Sequence, residues 1–174
     1  NGKSNVQIDP VFSSVNGAEP YNTLVFSQNS SYFSSGIIAL TTITFSASTG
    51  QIQSGKIIFN DTDNPYGSKN FIFSSNPSQT GFGNKVYFGD VLTHEIGHFL
   101  GFSHNEVLDS SMVFSAFRGQ ASLSEDDLSA IKTVYGGNVS GEISGRVVGG
   151  EQIGIFAANV HAISTITGEI VSSA

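Results

Sequence analysis

The chain has 174 residues, 39% of them hydrophobic and 11% aromatic, including 14 phenylalanines. That is enough apolar material to bury the core of one ordinary domain and part of a second, which excludes a disordered chain. A net charge of -7 with only 7 Lys+Arg argues against nucleic acid or anionic membrane as a partner, and the absence of cysteine excludes disulfides and thiolate metal sites, leaving His and carboxylate as ligands.

No apolar run reaches the roughly 20 residues of a spanning helix. The chain begins at Asn1 without a signal peptide and ends inside a strand-like pattern, and is read as a fragment or processed chain. Composition is silent on oligomeric state.

Residues 1–90 read as β-rich. "TLVFS" (23–27) is a short apolar run between turn residues. "IIALTTITF" (37–45) is rich in β-branched residues, "SASTGQIQSG" supplies a turn, and "KIIF" (56–59) follows, so a hairpin is expected here. "NDTDNPYGSKN" (60–70) is a loop by composition, "FIF" (71–73) is one more short strand, and "SSNPSQTGFGNK" is another loop.

The texture changes at Asp90. It is expected to N-cap a helix in which Val91, Leu92, Phe99 and Leu100 recur at helical spacing, with Gly101 ending it as the C′ residue. A second helix is expected over 125–135, with Ser124 as N-cap, Asp127 closing a capping box, and Leu128, Ile131, Val134 and Tyr135 as the apolar stripe. From Val139 the chain is β-like and Gly-rich again.

Three of the four histidines fall in "HEIGHFLGFSH" (94–104). On a helix, residues i and i+4 share a face, so His94 and His98 can bind one metal ion. Glu95 stands one residue on, close enough to work on a metal-bound water without being a ligand. Gly101 lets the backbone turn sharply and return, so that His104 can supply the third ligand. A catalytic zinc needs three protein ligands and one open position, which this spacing provides. A helix that merely happens to carry histidines is the bland alternative. The five fixed positions of H-E-x-x-H-x-x-G-x-x-H arise by chance in a chain of this length on the order of once in 10⁴ sequences. Gly97 also costs about 1 kcal/mol in a helix interior relative to Ala, so a helix built for stability alone would avoid it.

The motif is the signature of the metzincin zinc proteases, and the chain resembles the matrixins (matrix metalloproteinase-like proteins) further along. Its only methionine, Met112, lies in "SSMVF" where the family has its Met-turn, and "LSEDDLSAIKTVYG" (123–136) resembles the last matrixin helix, with paired Asp126 and Asp127. The resemblance implies an α+β, metzincin-like catalytic domain over 1–137, with a twisted mixed β-sheet, an active-site helix and a C-terminal helix. It implies a zinc-dependent endopeptidase acting on extended polypeptide substrates, secreted or at the cell surface. It implies one catalytic zinc on His94, His98 and His104, with Glu95 as general base. Gly101, Met112, Asp126 and Asp127 are the supporting residues, an aspartate of that pair bonding the Met-turn. "GIIALTTITF" (36–45) resembles the edge strand that pairs with substrate, through Ala39, Leu40 and Thr41, and "KIIFND" (56–61) resembles the next strand.

Some positions depart from the family. Leu40 and Ile58 stand where matrixins carry histidines for a structural zinc, so none is expected. Asn60, Asp61 and Asp63 fall where the family has calcium ligands, making calcium a further expectation, although a turn explains the same residues. Phe114-Ser-Ala-Phe117 replaces the usual wall of the specificity pocket. The family's first strand and helix have no counterpart in residues 1–20, so they lie upstream or this is a shortened member. The tail, 138–174, resembles the start of a carboxypeptidase regulatory-like β-sandwich module; a C-terminal β extension packing on the catalytic domain explains it equally. A degenerate protease domain serving as a binding or adhesion module is the competing function. It predicts a lost ligand or a lost Glu95, and neither is lost.

Overall fold

The computed structural model describes residues 22–80, 83–136, 144–156, 158, 160–168 and 170–173. Its main sheet has three strands in the order β1-β3-β2. Strand β1 (Thr23–Ser27) runs parallel to β3 (Ile52–Asn60), and β2 (Ala39–Phe45) runs antiparallel to β3, so the sheet is mixed. The expected hairpin is therefore present. Its turn is closed by Gly50 N–H donating to the Ser46 carbonyl at 2.8 Å and Ser46 N–H donating to the Gln51 carbonyl at 2.9 Å.

Strand β3 is central because it can be buried on both faces. Ile57, Ile58, Phe59 and Asn60 are all buried in succession, as a continuous apolar run allows and strict alternation does not. Phe59 is fully buried and packs its ring against Phe26, Phe73 and Phe88 at centroid distances of 5.1, 5.4 and 5.0 Å. Full burial of such a side chain contributes about 1.5–3 kcal/mol. Leu24, Ile57, Val86, Val91 and Phe99 complete the core and join the sheet to the long helix.

A second, two-stranded parallel sheet pairs β4 (Ile72–Ser74) with β5 (Lys85–Tyr87). The short strand expected over 71–73 is thus present, shifted by one residue. Its partner is only three residues long and carries no periodic signal in the sequence. Helix α1 (Phe88–Phe99) follows β5 directly, and α2 (Glu125–Tyr135) lies later in the chain. In the tail, β6 (His161–Ile163) and β7 (Ile170–Ser173) pair antiparallel, and β7 lies against α2.

Two sequence expectations need correction. The N-cap of α1 is Tyr87, without a side-chain cap, and Asp90 lies inside the first turn. Asp90 is instead a buried tether. Its carboxylate accepts from the Thr80 hydroxyl and from the Ala121 N–H, both at 2.8 Å, tying two loops to the positive end of α1. In α2, Ser124 and Asp127 form the expected capping box, but Val134 is exposed and does not belong to the packed face.

Candidate active site

Helix α1 carries His94, Glu95 and His98 on consecutive turns, and its end turns the chain back toward them. Gly101 has φ +90°, its N–H donates to the His98 carbonyl at 2.9 Å, and Phe102 N–H donates to the Gly97 carbonyl at 3.0 Å. This pair of bonds is a Schellman motif, and only glycine enters that left-handed conformation at little cost. Tyr135, at the end of α2, adds a hydroxyl bond of 2.6 Å to the Leu100 carbonyl. The returning chain places His104 so that its Nε2 lies 3.1 Å from Nε2 of His94 and 3.1 Å from Nε2 of His98.

The other ring nitrogens are committed elsewhere. His94 Nδ1 faces the Ser111 carbonyl at 2.7 Å and His98 Nδ1 faces the Phe102 carbonyl at 2.8 Å. A carbonyl only accepts, so both protons sit on Nδ1 and both Nε2 atoms present lone pairs to the same point. Burial lowers the pKa of His94 to about 4 and lowers that of His104, which keeps both rings neutral at neutral pH. A cation between the converging Nε2 atoms would be held by their lone pairs. Tetrahedral zinc with nitrogen ligands at 2.0–2.1 Å requires them to be about 3.3 Å apart, and the two 3.1 Å separations from His104 come close to that. Among the described residues, these three form the group able to hold a metal ion.

Beneath the histidines lies a floor of buried polar contacts. Asp127 accepts from the Ser111 N–H at 2.9 Å, the Ser110 hydroxyl at 2.7 Å and the Ser111 hydroxyl at 2.9 Å, and also from the Ser124 N–H at 2.8 Å. Burial alone would raise its pKa. These donors outweigh burial and hold it below the ordinary aspartate value. Asp126 accepts from Asn105 at 2.9 Å, immediately after the third histidine. Met112, also buried, packs under α1 at Gly97, where a Cβ would run into its sulfur. Gly97 is thus a close-approach glycine, which explains a residue that helix propensity disfavours.

Gln120 escaped sequence reasoning. It is buried, its amide donates to the Ser111 carbonyl at 2.9 Å, and its oxygen accepts from the Phe117 N–H at 3.2 Å. It thereby fixes the carbonyl that orients His94 and ties loop 113–120 to it. A lone glutamine in a polar loop gives no local signal of this role.

The open side is a cleft of about 810 Å³ whose walls include Ala39, Leu40 and Thr41 of β2 and Phe114, with Glu95 and the three histidines inside it. Phe114 is exposed and stands edge-on to His104 at 4.9 Å. Among the described residues, strand β2 is the edge of its sheet. Asn60 N–H donates to the Ile38 carbonyl, and antiparallel bonding alternates, so Leu40 directs its backbone groups to β3 while Ala39, Thr41 and Ile43 direct theirs to the open edge. Leu40 therefore contributes its side chain to the cleft, not its N–H. Glu95 is buried; burial raises its pKa, while the Thr41 hydroxyl, 2.6 Å from Oε2, and nearby His98 oppose the rise.

Two other metal expectations concern positions outside this cluster. Leu40 and Ile58, expected from the resemblance to stand in place of structural-zinc histidines, are register partners on β2 and β3. The calcium expectation is not supported. The Lys69 ammonium lies 3.1 Å from both the Asp61 and Asp63 carboxylates and donates to the Asp61 carbonyl at 2.7 Å. Asn60 is turned inward, donating to the Ile37 carbonyl and accepting from Thr62. The chain thus supplies its own cation at this loop.

Comparison with known proteins places these features in a family. The Matrixin family model matches residues 27–136, which is more than half of the sequence. The chain belongs to the matrixins. A stretch of 58 residues is 43% identical to Metalloendoproteinase 5-MMP of Arabidopsis thaliana. It covers 32% of this chain and 16% of that protein, so the chain matches only about a sixth of that relative's length. No solved structure is significantly similar.

Proposed function

We propose that this chain is a zinc-dependent endopeptidase that hydrolyses peptide bonds in extended polypeptides, with Glu95 as general base. The observation that carries the reading is the convergence of three histidine Nε2 atoms beside a buried carboxylate, in a cleft walled by what is, among the described residues, the edge strand of the sheet. Substrate would add to β2 as an antiparallel strand, bonding the outward backbone groups of Ala39, Thr41 and Ile43. His94, His98 and His104 would hold the metal. Zinc, when bound, supplies a Lewis acid that polarises the scissile carbonyl and acidifies water.

Glu95 takes a proton from the attacking water and passes it to the leaving amine. Its buried setting favours the protonated form, bringing the pKa toward working pH, where a general base is most effective. The Ser111 and Phe102 carbonyls hold the ligand rings in the tautomer that binds metal. Membership of the family supports an extracellular setting, secreted or at the cell surface. We place the catalytic domain at 1–137 and read 138–174 as a β extension or the start of a further β module; the packing of β7 on α2 favours the extension.

The test is cleavage of an unfolded protein such as casein. Expected is turnover that a chelator abolishes and added zinc restores. Tight binding without turnover would replace the enzyme by a binding module.

A further inference from the structure

Thr41 and Glu95 are 54 residues apart, yet they share one of the shortest hydrogen bonds at the site. Thr41 Oγ1 lies 2.6 Å from Glu95 Oε2 and 3.2 Å from the Glu95 backbone carbonyl. Among the described residues no other side chain is bonded to that carboxylate. We propose that Thr41 is the positioning residue for the general base, fixing the Glu95 carboxylate so that its free oxygen addresses the attacking water. The inference rests on the endopeptidase reading and adds a residue to it.

Three physical points support it. The last torsion of a glutamate is broad, so an unheld carboxylate would spread its oxygens over many directions. A hydroxyl-to-carboxylate bond of 2.5–2.7 Å is charge-assisted and among the stronger hydrogen bonds available. The donor is itself rigid, because Thr41 is β-branched and sits on a strand whose ladder to β3 fixes its backbone.

The bond also survives the proton transfer. While Glu95 is ionised, the single Thr41 proton is donated to Oε2. When Glu95 holds the water's proton on Oε1, Oε2 is still an acceptor, and the Thr41 bond remains. No proton is lost or gained by Thr41. The same residue directs its backbone to the open strand edge, where substrate is proposed to pair. One residue thus connects the register of the substrate strand to the aim of the base.

The rival explanation is that the hydroxyl only satisfies a buried carboxylate. The two differ in what is lost. The experiment compares Thr41→Val and Thr41→Ser, each alone and in a Glu95→Ala background, on a fluorogenic peptide, with zinc content measured for every variant. Thr41→Ala serves in place of the valine variant should that one not fold. Loss of aim should lower kcat of Thr41→Val by about 10- to 100-fold while KM moves less than about threefold and zinc content is unchanged. Thr41→Ser, which keeps the hydroxyl, should recover kcat to within about threefold of the parent. In the Glu95→Ala background the valine change should lower the residual rate by less than about twofold, because the partner is already gone. An equal fall in both backgrounds, or a kcat of Thr41→Val within about twofold of the parent, would overturn the proposal. Parent-like activity of Glu95→Ala alone would overturn the general-base reading, and with it this inference. A silent Thr41→Val beside a Glu95-dependent rate overturns only the inference.

Discussion

Helix α1, which carries two of the three candidate zinc ligands, is supported from two sides that are built differently. Toward the sheet it rests on rings and aliphatic chains: Phe59 with Phe26, Phe73 and Phe88, then Leu24, Ile57, Val91 and Phe99. Toward α2 it rests on a polar floor, in which Asp127, Asp126, Asn105, Ser110, Ser111 and Gln120 bond one another and the backbone near Met112. Apolar packing is non-directional and tolerates small rearrangements. Buried hydrogen bonds are directional and costly to leave unmade. The side that orients the ligands is the directional one, as a site with sub-ångström tolerances requires.

Removal of Asp127 should break the contrast most sharply. Asp127→Ala leaves the Ser111 and Ser124 N–H groups and the Ser110, Ser111 and Ser124 hydroxyls without their acceptor. A loss of about 2–4 kcal/mol is expected in urea unfolding, with weaker zinc retention because the Ser111 carbonyl is freed. The pH dependence carries its own signature. The folded pKa of Asp127 lies below its unfolded value, so its contribution is full above about pH 4 to 5 and is lost as pH falls through the folded pKa. Asp127→Ala should therefore flatten the fall of stability at acid pH.

A smaller change on the apolar side sharpens the same comparison. Phe59→Leu removes part of a fully buried ring. It should cost about 1–2 kcal/mol, leave zinc affinity as it was, and leave the acid limb of stability unaltered. An acid limb that shifts with Phe59→Leu, or one that ignores Asp127→Ala, would erase the distinction between the two sides.

The parts of the molecule that were legible in the sequence are those written in local spacing. His94, Glu95, His98, Gly101 and His104 lie within eleven residues, and helix geometry converts that spacing into a site. The capping box at Ser124 and Asp127 is likewise local, as are the β-branched runs of β2 and β3. What was missed is carried by contacts between distant segments. Thr41 reaches Glu95 across 54 residues, Gln120 reaches the Ser111 carbonyl from a featureless loop, and Asp90 caps nothing yet ties Thr80 to Ala121. The calcium expectation goes unsupported for the same reason. Asp61 and Asp63 suggested a metal, and only the fold brings Lys69 between them.

Glu95→Ala, assayed for bound zinc and for turnover on the same preparation, tests the central claim most directly. General acid–base assistance is typically worth 10²–10⁴-fold, so the variant should keep one zinc per chain and its fold while losing activity by about that factor or more. Activity that returns when excess zinc is added would contradict the general-base assignment, because Glu95 would then be serving only to hold the metal.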